Sequence, residues 1–106
     1  GGYDWGQIMI IVKVKGSSVE VSGHAGHSPI GTDIVCAWIS ALYQTLVESA
    51  MELTDGTYKT SSEAGFGYIK PNGYVGDEYK LLVRSFLIGI NGIASSYPDY
   101  VKVITD

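Results

Sequence analysis

Between Asp33 and Leu53 apolar residues recur at Val35, Ile39, Leu42, Leu46, Ala50 and Leu53, a spacing of three and four that an α-helix gathers on one face. A stripe of this length must be buried against something, so the remaining elements are read as what covers it. Thr32 or Asp33 is suited to cap the helix, because either side chain can accept a hydrogen bond from an unpartnered amide of the first turn. Asp55-Gly56 breaks it. A second stripe, Tyr79, Leu82, Val83, Phe86, Ile90, Ile93 and Tyr97, follows the turn signal Pro71-Asn72-Gly73 and is stopped by Pro98. Gly89 and Gly92 each lower its helix propensity by about 1 kcal/mol relative to Ala, which fits a close packing contact.

Around these helices the pattern switches to a period of two. Ile8 to Lys15 is rich in β-branched residues and alternates in its second half; after Gly16-Ser17, the run Ser18 to Ser22 alternates again, so the two read as a β-hairpin. Thr57 to Thr60 and Phe66 to Lys70 read as short strands on either side of a polar turn, Ser61 to Gly65, and Tyr100 to Ile104 as a last strand. The order is ββαββαβ. Strands in runs, interrupted by isolated helices, predict an α+β fold with a mostly antiparallel sheet and two helices packed on it.

The chain of 106 residues shows no internal repeat or linker, which predicts a single domain over residues 9–106. Gly1-Gly2 stands where an initiating Met is expected, so residues 1–8 read as an N-terminal extension or expression remnant, with Met9 as a natural start. One cysteine permits no internal disulfide and points to a reducing, cytoplasmic setting. Seven Lys and Arg against eleven Asp and Glu leave a net charge of −4, which argues against nucleic acid as a direct ligand. No uninterrupted apolar run approaches the ~18 residues of a membrane span, so no membrane partner is expected.

Chemistry concentrates between Gly23 and Ala37, GHAGHSPIGTDIVCA, which holds both histidines and the cysteine. The segment joins a strand end to a helix start. If His24 folds back onto Cys36, the pair is a base and its nucleophile. Placed in the first helical turn, Cys36 would gain thiolate character from exposed amides and the positive end of the helix dipole, worth about 1 kcal/mol. The residues between them contain Gly26, Pro29 and Gly31, backbone suited to unusual angles and to a lid over substrate.

Each of these residues also has a plainer reading. Cysteine is among the most buried residue types, and Cys36 could be an inert core side chain. Asp33 can orient the imidazole or simply cap the helix, and Ser40, one turn beyond Cys36, can support the site or merely border the core. His27 with His24 and Cys36 falls short of the four ligands of a structural zinc centre, so no metal is assigned, and no role follows for His27. Trp38, Tyr43 and the other tyrosines read as packing, since their stripes lack interleaved basic residues.

Three segments, Gly23-His24-Ala25, Gly31 through Ala37 with Ser40, and Gly89 through Ile93 leading to Tyr97-Pro98, resemble the ribosomal-processing cysteine protease family, often called Prp. The resemblance implies a thiol protease, commonly a homodimer and without a cofactor, that removes a short N-terminal extension from a large-subunit ribosomal protein in bacteria. It implies His24 as general base, Cys36 as nucleophile, Asp33 and Ser40 as supporting residues, and the segment with Gly26, Pro29 and Gly31 closing over the substrate tail. Two other classes stand beside it: a non-catalytic assembly factor binding a basic peptide, and a thiol redox sensor, which would have no use for His24.

Overall fold

The computed structural model describes residues 9–23, 30–63 and 65–106. Residues 1–8, read above as an extension, lie outside them. The elements run β1 (Ile10–Lys15), β2 (Ser18–Ser22), α1 (Ile30–Leu53), β3 (Tyr58–Glu63), β4 (Phe66–Pro71), α2 (Asp77–Ser96) and β5 (Val101–Thr105). This is the ββαββαβ order expected from the pattern. The sheet order is β3-β4-β2-β1-β5, with β1/β2, β2/β4 and β3/β4 antiparallel and β1/β5 parallel. One parallel pair makes the sheet mixed, because α2 carries the chain from β4 across to the far side of β1.

Alternation decides which face of the sheet the helices cover. Ile10, Val12, Val19, Ile69 and Val101 point to one side and are buried with Val35, Ile39, Tyr43, Leu46 and Ala50 of α1 and Tyr79, Val83, Phe86 and Ile90 of α2. Their alternates, Lys13, Lys15, Lys70 and Lys102 among them, are exposed. The helices therefore lie on one face, and among the described residues no element covers the other, which is called the open face below. The two helices meet at Gly89, where an added Cβ would stand 2.9 Å from Leu42 Cδ1, so this glycine is a packing contact as expected. Gly92 is not, since nothing lies within 4 Å of its missing side chain.

Tyrosine hydroxyls tie the layers together. Tyr79, 2 % exposed, donates to the Ser17 carbonyl at 2.7 Å and anchors α2 to the β1–β2 turn. Tyr58 hydrogen-bonds Thr54 at the end of α1 and sets its ring against Tyr79, with centroids 5.2 Å apart. Burial pushes the Tyr79 hydroxyl pKa well above its ordinary value, with the nearby tyrosines Tyr58, Tyr43 and Tyr68 adding to the shift.

Two boundaries near the site differ from those the pattern suggested. The helix α1 starts at Ile30, so Thr32 and Asp33 are inside its first turn rather than capping it, and Cys36 is its seventh residue, in the second turn. The strand β3 extends through Ser61–Glu63, which read as a turn: their polarity signals a loop, but cross-strand pairing with Phe66, Gly67 and Tyr68 of β4 holds them extended at the sheet edge. Averaged over its length, the stretch Ile34–Leu53 is long and apolar enough to cross a bilayer, although polar residues interrupt every continuous run. In the fold its Val35, Ile39, Leu46 and Ala50 are core.

Candidate active site

The wall that carries Cys36 is one face of α1. Cys36, Ile39, Ser40, Tyr43 and Gln44 stand three and four residues apart and line a cleft of about 160 Å³. The opposite wall is the end of the sheet, with Ile10, Val21 and Gly23 from the first hairpin and Ser62, Glu63, Gly65, Phe66 and Gly67 from the second. Cys36 is half-buried here, with the cleft on one side and the core on the other. Its Cα–Cβ bond, like every one in a helix, tilts back toward the helix start.

Two glycines set the spacing of these walls. The ring of Tyr43 lies on Gly67, where a Cβ would come within 2.7 Å of it, and the Tyr43 hydroxyl donates to the Tyr68 carbonyl at 2.8 Å, with the Ser61 carbonyl at 3.2 Å. That contact clamps α1 to the β3–β4 hairpin across the floor of the cleft. Burial pushes the Tyr43 pKa up, partly offset by the bond to Tyr68. Gly23 closes the other side: its N–H donates to the Gly65 carbonyl at 3.0 Å, with φ +127° and an added Cβ only 2.6 Å from the Met9 carbonyl oxygen.

Among the residues singled out in the sequence, Cys36 and Ser40 line this cleft together. Gly31 and Asp33 fall in the first turn of α1. His24, Gly26, His27 and Pro29 lie outside the described residues. The second-turn position of Cys36 weakens the argument from the helix dipole, which falls off within one turn. Sequence reasoning missed Tyr43 as the clamp, and Gln44, Ser62 and Glu63 as cleft residues. Tyr43 and Gln44 carry a readable signal, falling seven and eight residues after Cys36 on its helical face. Ser62 and Glu63 carry none, because only the β3–β4 pairing brings them to α1.

A model of the family described as cysteine protease Prp matches residues 8–102. The chain belongs to the Prp cysteine protease family. The ribosomal processing cysteine protease Prp of Staphylococcus aureus is 29 % identical over 93 residues, covering 84 % of this chain and 86 % of that one. A crystal structure of an S. aureus Prp with a covalently linked product peptide is 25 % identical, with a TM-score of 0.82 over 92 % of this chain and all of the other. A Streptococcus mutans crystal structure is 32 % identical, with a TM-score of 0.72 over 92 % of this chain and 96 % of that chain.

Proposed function

We propose that this Prp-family chain is an endopeptidase that removes the N-terminal extension of a large-subunit ribosomal protein, with Cys36 as nucleophile and His24 as base. The observation that supports it is that Gly23, the residue directly before His24, lines the same cleft as Cys36. Its backbone is held there by the bond to Gly65 and tolerates no Cβ. Gly23 and Cys36 thus border one cleft, which supports a base supplied by the residue after Gly23.

In this mechanism the Cys36 thiolate attacks the scissile carbonyl carbon and forms a C–S bond. The His24 imidazolium protonates the amine as the C–N bond breaks. His24 then takes a proton from water, whose oxygen displaces the thiolate and releases the extension. Amides of the first turn of α1, which lack intrahelical partners, are donors for the developing oxyanion, and Asp33 and Ser40 support the pair. The residues containing Gly26, Pro29 and Gly31 close over the peptide. Glu63 is the one carboxylate among the described cleft residues, and no Lys or Arg lines the cleft with it, which suits a basic ribosomal tail.

Alkylation of Cys36 by iodoacetamide as a function of pH tests the pair. The native protein is expected to react with an apparent pKa well below the ~8.5 of an ordinary thiol, and His24→Ala to return it toward that value. An identical profile in the two proteins would refute the dyad.

The same reading includes a homodimer. Ile34 and Trp38 of α1 and Leu81 and Ile88 of α2 are 42–76 % exposed on the helix layer, an apolar surface that a second copy would cover. Trp38→Asp with Ile88→Asp is expected to convert the sedimentation coefficient to that of a monomer. A wild-type protein that sediments as a monomer at micromolar concentration would remove the dimer.

A further inference from the structure

Total charge averages over two sides of the molecule that differ. Register places Lys13, Lys15, Lys59, Lys70 and Lys102 on the open face of the sheet, five of the seven Lys and Arg in the chain. The described carboxylates sharing that face are Glu20, Glu63 and the terminal Asp106, whereas Glu48, Glu52, Asp55, Asp77 and Glu78 belong to the helices or the loop after α1. The argument from a net charge of −4 against nucleic acid therefore does not apply to this surface.

Apart from Lys13, these lysines have no ion-pair partner among the described residues. Lys59 and Lys70 stand directly opposite each other across β3 and β4, an arrangement of like charges that destabilises a sheet. The only ion pair among the described residues is Lys13 to Glu20, at 4.0 Å. Alternation along β4 puts Phe66, Tyr68 and Lys70 in one row on this face, both rings half-exposed. Aromatic side chains interleaved with a cation, which the linear sequence conceals, are thus present once the strand is formed.

We propose that the open face of the sheet binds single-stranded RNA, with Lys13, Lys59, Lys70 and Lys102 on phosphates and Phe66 and Tyr68 stacking on bases. A surface that carries rings and lysines side by side offers stacking partners for the bases and cations for the phosphates of an unpaired strand. An anionic bilayer would engage the lysines but gain little from rings set within a flat face. Phe66 and Glu63, at the end of the sheet, also border the Cys36 cleft, whereas the lysines and Tyr68 do not line it, so they can be varied without touching the thiol site.

Fluorescence anisotropy of a labelled 12-nucleotide oligouridine at 50 mM salt tests this. Wild type is expected to bind, with a log–log salt slope of about −2 to −3, as three or four phosphate contacts at ~0.7 each require. Lys59→Glu with Lys70→Glu should weaken binding at least tenfold and flatten the slope. Tyr68→Ala should weaken it several-fold and leave the slope unchanged, and Lys80→Glu, a cation of α2, should change it less than twofold. Should the charge reversal fail to fold, Lys70→Gln with Lys102→Gln reads the same loss. Cleavage of a short peptide by these variants should equal that of wild type, which separates this surface from the catalytic reading. No binding at 50 mM salt, an equal loss in Lys80→Glu, or binding to phosphatidylglycerol vesicles with none to the oligouridine would overturn the proposal.

Discussion

Cys36→Ala is expected to lower kcat/KM for an N-terminally extended ribosomal protein by on the order of 10³- to 10⁶-fold, as removal of a covalent nucleophile does elsewhere. The change deletes one sulfur from a half-buried position that only partly contacts the core, so melting should move by no more than a few degrees. Cys36→Ser should be nearly as inactive, because a hydroxyl at this position retains its proton where a thiol paired with imidazole does not. The readout is the mass of the substrate protein after incubation with each variant. Undiminished cleavage by Cys36→Ala would remove the thiol from the reaction. A non-catalytic peptide binder would show the same binding with or without the sulfur and no mass change in either case, which the wild-type incubation distinguishes.

Gly23→Ala is expected to be the most damaging single-methyl addition in the described chain. Its φ of +127° is a conformation that residues with a Cβ rarely adopt, and the new carbon would stand 2.6 Å from the Met9 carbonyl oxygen and 2.8 Å from the Ile10 Cα. Both neighbours are backbone at the start of β1, so neither can swing aside. Relief requires the end of β2 to move away from β1 and to give up the bond to Gly65. The expected cost is about 2–3 kcal/mol, or roughly 8–20 °C in Tm for a domain of this size. Catalysis should fall by more than stability explains, since moving the strand end also moves the start of the segment that supplies His24, the base of the proposed dyad. Gly92→Ala is the matched control: its Cβ meets nothing and helix propensity favours it by about 1 kcal/mol, so melting should rise and cleavage stay unchanged. Equal melting temperatures for wild type and Gly23→Ala would show that the strand end has room for a side chain.

These contrasts show which parts of the architecture could be read along the chain. The two helical stripes were legible because a core-facing helix repeats its apolar residues at its own pitch, and that repetition survives whatever it packs against. The first hairpin was legible because Val12, Val14, Val19 and Val21 alternate with polar residues on either side of a short turn. Ser61–Glu63 were not, because the end of an edge strand made of Ser, Ser and Glu carries no apolar residue and has no signature until its partner holds it. The start of α1 was misplaced for a related reason. Thr32 and Asp33 are good caps in isolation, yet the backbone becomes helical at Ile30.

The site divides the same way. Cys36 and Ser40 lie one turn apart on a helix, so their shared face follows from sequence spacing alone, as does the nearness of Gly23 to His24. That these two pieces border one cleft, with Tyr43 clamping its floor and Glu63 on its rim, needed the β3–β4 hairpin to come back against α1. Local periodicity encodes which residues share a face, because pitch and pleat are properties of a few consecutive peptides. Which faces meet, and which side of the sheet stays bare with its lysines, depends on strand pairings across tens of residues, and those exist only once the core has closed.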